Sequence, residues 1–150
     1  MNQQWMGLAK FSSVFLRLAL GISFLSAVAD RFGLWGVYGH SNVVWGNYAR
    51  FVDYTAKLNW FLPAAMIPAL AIIATAAETL FGLLLVLGWK TRITALLSGV
   101  LLITFALTMT IALGVKAPLN LSVFSAAGGA LLLATCANFP FSLDELVRNR

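Results

Sequence analysis

Long apolar runs separated by short polar breaks set the plan of this chain. Residues 11–29 (FSSVFLRLALGISFLSAVA) are apolar apart from Arg17 and small hydroxyl residues that a helix can satisfy internally. The pattern resumes over 64–88 with a single charge, Glu78, and again over 93–114 and 119–136. A helix needs roughly 20 such residues to cross a bilayer, so the first three runs suffice and the fourth is slightly short. The spacing therefore predicts an all-α fold: a four-transmembrane-helix bundle, one domain over 1–150. A signal peptide competes for the first run, because Lys10 precedes it and Ala27-Val28-Ala29 has a small-x-small pattern. Arg17 within the apolar stretch favours an uncleaved span.

The break over 30–63 is longer and has its own order. Its first part (RFGLWGVYGHSN) is rich in glycine and aromatics and reads as a loop. Val44, Tyr48, Phe51, Thr55 and Leu58 then recur at helical spacing, with Arg50, Asp53 and Lys57 on the opposite face. That pattern predicts an amphipathic helix capped by Ser41 or Asn42 and lying in the membrane interface, with Trp35, Tyr38, Trp45, Tyr48 and Trp60 as anchors at headgroup depth. In the polar tail, 137–150, Ser142 and Glu145 have the spacing of a capping box for a brief helix.

Composition agrees with lipid as the solvent: 61% of residues are hydrophobic and only 10% charged, where a soluble domain carries about a quarter. The net charge of +5 raises the question of nucleic acid. The ten cations are spread over helix ends and loops, however, so membrane lipids are the expected counter-charge and no nucleic acid is expected. Their distribution also orients the chain. With both termini cytoplasmic, Lys10, Arg17, Lys90, Arg92, Arg148 and Arg150 lie inside, against Arg31, Arg50, Lys57 and Lys116 outside.

One cysteine, Cys136, excludes an intrachain disulfide, a CxxC redox pair and a cysteine-held iron-sulfur cluster; one histidine, His40, excludes internal bis-His haem ligation. No metal site is expected, and no catalytic residue can be assigned. The candidate chemistry is the pair of charges within apolar spans. Arg17 lies about 9 Å and Glu78 about 15 Å from the same membrane face by helical rise. A charge at such depth must face the bundle interior and find a partner. Two readings stand side by side: an Arg17–Glu78 ion pair fixing helix register, or a polar cavity for a headgroup or carbonyl ligand, with Arg31, Thr75, Ser98, Thr108 and Ser122 as its expected lining. The spacings Thr94/Ser98, Thr104/Thr108 and Ser125/Gly129 suit close packing of helices.

Several segments together resemble the DoxX-like membrane proteins, a family that includes the DoxD-type subunits linked to thiosulfate:quinone oxidoreduction. They are Arg17-Leu18-Ala19-Leu20-Gly21, then Glu78-Thr79-Leu80-Phe81-Gly82 running on to Gly88, Thr91-Arg92, and Ser142-Leu143-Asp144. The resemblance implies a four-span bundle in a bacterial inner membrane, associated with redox metabolism or oxidative-stress defence. It carries over to Arg17, Gly21, Glu78, Gly82, Gly88, Arg92 and Asp144. Family members commonly place a lysine after span one, where this chain has Arg31, and a histidine in span three, where it has Thr108 and Thr110.

The resulting expectation is an auxiliary redox-linked subunit that binds a quinone or similar small molecule at the buried pair. No self-sufficient redox motif is present, so a redox partner protein would supply the electrons. The alternatives are a non-enzymatic small-molecule or lipid binding or transport module, working as a homo-oligomer, and a membrane assembly factor.

Overall fold

The computed structural model describes residues 3–148, so Arg150, counted above among the cytoplasmic cations, lies outside the described residues. Seven α-helices and no strand occur among these residues: α1 (Gln3–Arg31), α2 (Tyr48–Leu58), α3 (Ile67–Leu87), α4 (Thr91–Leu113), α5 (Lys116–Asn120), α6 (Val123–Thr135) and α7 (Leu143–Arg148). α1, α4 and the stretch Ala64–Leu87, in which a 3-10 turn leads into α3, are long and apolar enough to cross a membrane.

The pairs that pack most closely are α1 with α3 and α4 with α6. Glycine sets the first approach. A Cβ on Gly21 would stand 2.9 Å from the Gly82 carbonyl oxygen and 2.8 Å from Val86, and one on Gly82 would meet Leu25 at 2.9 Å. Only residues without side chains let the two backbones come this near, which is how small residues drive helix association in lipid. Gly99 does the same for α4 and α6, where a Cβ would meet Leu131 at 2.7 Å. Leu20 and Phe24 of α1, Leu85 of α3, Ala95 of α4, and Ala130 and Leu133 of α6 meet in the central core. All four principal helices thus contribute to one interior.

The fourth apolar run is interrupted. The expected span over 119–136 is instead α5, a break at Leu121-Ser122, and the 13-residue α6. Ser122 adopts φ 54°, a left-handed backbone that ends the register of α5 before α6 begins. At 1.5 Å per residue α6 measures about 20 Å, less than the ~30 Å hydrocarbon core.

The amphipathic helix is α2, and it starts later than the pattern suggested. Its cap is Asn47, whose Oδ1 accepts from Arg50 N at 3.0 Å, rather than Ser41 or Asn42. Asn42 sits at φ 66° within the preceding loop. The face division is as read: Phe51 and Thr55 are buried against the bundle while Arg50, Asp53 and Lys57 are exposed.

Candidate functional site

Glu78 is buried and ion-paired, and its partner is Arg31. Arg31 Nη2 donates to both Glu78 carboxylate oxygens at 2.7 Å, and Nη1 donates to Thr75 Oγ1 at 2.9 Å. Local structure explains the convergence. Thr75 and Glu78 stand three apart on one face of α3, and Arg31 closes the last turn of α1, where a cation also suits the helix dipole. Thr75 Oγ1 in turn donates to Ala71 O at 2.8 Å, which fixes its lone pairs toward the guanidinium. Arg31 and Glu78 are each 2% exposed, so each charge depends on the other for its compensation.

The Arg17–Glu78 pair read from helical depth is therefore corrected. Antiparallel packing through Gly21 and Gly82 lays Arg17 beside Gly88, at the far end of α3. Arg17 and Arg31 are about 21 Å apart along α1, and Glu78 lies in the middle of α3, within reach of Arg31. Arg31 takes the place expected of Arg17 because α1 continues helical through 30 and 31, residues whose charge reads as loop in the sequence. Of the expected lining residues, Arg31 and Thr75 join Glu78. Ser98 is fully buried in α4 with its hydroxyl unpartnered. Thr108 donates to Thr104 O on its own helix, and Ser122 is exposed at the α5–α6 break.

Aromatic rings from the intervening loop and α2 cover the pair. The Phe51 ring centroid lies 3.7 Å from Arg31 Cζ and that of Trp45 5.2 Å away, distances at which a ring face attracts a cation. Trp45 meets Phe51 edge-on at 5.2 Å, and Tyr48 stacks on Phe32 at 5.7 Å. Asp30 ties this cover down: its Oδ2 accepts from Val44 N at 2.9 Å and Trp45 N at 3.0 Å. Three buried polar atoms of this network have no hydrogen-bond partner: Asp30 Oδ1, Arg31 Nε and Trp45 Nε1. Of these three residues Trp45 alone borders an open cavity of about 230 Å³, shared with Tyr38, Val44, Arg50, Asp53 and Tyr54. Asp30 is not among the residues expected from the sequence, and Trp45, expected as a headgroup anchor, packs over Arg31 instead. The signal available was the adjacent Asp30-Arg31 charge pair directly after an apolar run.

A second polar cluster closes the other end of the bundle. Gly88 caps α3 at φ 67°, and Arg17 Nη2 passes it to donate to Phe141 O at 2.7 Å. The tail docks over this contact. Asp144 N donates to Gly88 O at 3.0 Å, and the Asp144 carboxylate accepts from Lys90 N and Thr91 N at 2.7 Å each, capping α4. Ser142 Oγ accepts from Glu145 N at 3.1 Å, while Glu145 Oε2 accepts from Phe141 N at 2.9 Å, so the capping-box spacing does initiate α7. Among the described residues no three His, Cys, Asp or Glu side chains gather as a metal site.

These features define a polytopic helical membrane protein with a buried Arg–Glu pair roofed by an amphipathic helix. The chain belongs to the DoxX family, whose model matches residues 12–114, from within α1 to the end of α4. The match takes in Arg17, Arg31, Glu78 and their supports on α1 and α3, and stops short of α5, α6 and α7. No curated protein and no solved structure matches the chain.

Proposed function

We propose that this chain is an auxiliary, redox-linked subunit of a bacterial inner membrane, with both termini cytoplasmic, that binds a quinone-like ring at the Arg31 end of the bundle. The observation that carries the reading is the set of three unpartnered buried atoms on Asp30, Arg31 and Trp45. Each such atom costs about 1–3 kcal/mol if it stays unsatisfied. Together they are two N–H donors and one carboxylate acceptor buried in one aromatic-walled network, which a ring entering from the cavity at Trp45 would reach by displacing the cover. A ring carbonyl oxygen accepts from Arg31 Nε and Trp45 Nε1; in the reduced ring, a hydroxyl donates to Asp30 Oδ1. Glu78 and Thr75 hold the guanidinium in orientation for this, and Phe51, Trp45 and Tyr48 offer faces against which a flat ring packs. Electrons come from a redox partner protein, because the chain carries no redox centre of its own type in its sequence.

The test is gentle purification from native membranes, followed by solvent extraction and absorbance before and after borohydride reduction. About one quinone per chain is expected in the unmodified protein. It is lost in Trp45→Phe, which removes one donor, and in Asp30→Asn, which keeps an oxygen for the two backbone N–H groups but puts an amide where Oδ1 stands. Arg17→Gln, at the opposite end, retains it. A colourless extract holding another metabolite or lipid in the same stoichiometry overturns the quinone reading in favour of a non-enzymatic binding module.

A further inference from the structure

The turn between α3 and α4 and the docked tail border an open cavity of about 390 Å³ at the Gly88 end of the bundle. Lys90, Arg92 and Arg148 line it together with Ile93 and Phe139, and the wall they present is mostly apolar, with the cations' stems contributing to it. Asp144 and Glu145 also line it, so its three cations exceed its carboxylates by one charge, and both carboxylates have hydrogen-bond partners. Asp144 accepts from two backbone N–H groups and also lies within electrostatic reach of the buried Arg17, and one oxygen of Glu145 accepts from Phe141 N. Thr91, fully buried and also lining the cavity, has a hydroxyl without any hydrogen-bond partner. Arg92 and Arg148 are exposed, and each makes one hydrogen bond: Arg92 Nη2 donates to Cys136 O at 3.1 Å and Arg148 Nη1 to Asn138 Oδ1 at 2.6 Å. The remaining N–H groups of both forks stay available for an anion.

Position selects the kind of anion. The cavity sits where two apolar helices end, next to the half-exposed Trp89, at the depth where headgroups lie. We propose that it holds the phosphate of an anionic phospholipid, with Lys90, Arg92 and Arg148 around the phosphate oxygens, Thr91 Oγ1 as a further donor, and Ile93 and Phe139 against the glycerol and first acyl carbons. Basic pockets between transmembrane helices recognise headgroups by this combination of charge and apolar wall. The tail and the α3–α4 turn then form one lipid-binding unit. The site is independent of the ring site at the Arg31 end.

Native mass spectrometry of the full-length chain, released from nonionic detergent with equal phosphatidylglycerol and phosphatidylcholine, tests this. Retention of phosphatidylglycerol at least tenfold over phosphatidylcholine is expected, falling about tenfold in the double variant Arg92→Gln, Arg148→Gln. Thermal unfolding of that variant in lipid-free detergent reports whether it folds. If it does not, Lys90→Asn, suited to the left-handed backbone at φ 48°, takes its place, with a loss of at least threefold expected. Equal retention of the two lipids, or retention unchanged in the folded variants, overturns the proposal. So does a phosphate adduct that competes the lipid away when inorganic phosphate is added at equal concentration, since the site would then serve a free anion.

Discussion

Arg31 Nη2 stands 2.7 Å from each oxygen of Glu78, joining the last turn of α1 to the middle of α3 within the bundle. Removing either partner strands a charge that lipid and apolar side chains cannot solvate. Arg31→Leu or Glu78→Leu alone should therefore cost about 3–5 kcal/mol, and the double variant far less than the sum. A double-mutant cycle on unfolding in mixed micelles measures this. The same cycle with Arg17→Leu in place of Arg31→Leu should be additive within about 0.5 kcal/mol; strong coupling there would mean that the two arginines have been assigned in the wrong order.

Gly88 should not tolerate a methyl group. Its φ of 67° disfavours any L side chain, and a Cβ would run into Arg17 Nη1 and Ser142. Gly88→Ala is expected to destabilise by about 2 kcal/mol and, more tellingly, to release the tail. Hydrogen exchange over 139–148 should rise while exchange in the core of α3 stays slow. Unchanged protection of the tail would show that Arg17 and Gly88 do not hold it.

Two glycines on the principal helices should respond in opposite directions. A Cβ at Gly21 meets the α3 backbone, so Gly21→Ala should cost about 1–3 kcal/mol through overpacking. Gly128 has nothing within 4 Å of its Cβ position, and Gly128→Ala should gain up to about 1 kcal/mol from helix propensity. Thermal melts of the two variants side by side decide this, and equal shifts would argue against the close α1–α3 crossing.

Tyr54 on α2 provides a titration probe of the cover. Burial raises its phenol above the usual 10.0, so the folded chain keeps the proton longer than the unfolded one. The sign follows: below about pH 10 the group contributes nothing to the pH dependence, and above it stability falls until the folded phenol ionises. The denaturation midpoint of the unmodified protein should drop more steeply between pH 9.5 and 11.5 (roughly, bracketing the tyrosine range) than that of Tyr54→Phe. Parallel profiles would mean that Tyr54 is solvated in the folded state.

The spans and the amphipathic helix were legible because they depend on local pattern: apolar length for α1, α3 and α4, and opposed faces for α2. The pairing of Glu78 was not. Depth along one helix leaves the register between two helices open, and here that register is fixed by Gly21 against Gly82, a contact between residues that carry no chemistry of their own. The α5–α6 break escaped for a related reason. Leu121-Ser122 is as apolar and as helix-compatible as its surroundings, and only the backbone at Ser122 shows the interruption. Ser142 and Glu145 were readable because a capping box is complete within four residues. Asp30 was missed because its partners are backbone N–H groups of Val44 and Trp45, which no side-chain pattern displays.

α1 carries one buried arginine at its midpoint and another at its last residue, the first fastening the tail and the second pairing with Glu78 beneath the roof. Such a helix acts as a tie rod between the two polar clusters. A twist or slide of α1 by a single residue, about 100° and 1.5 Å, would loosen both fastenings in one movement.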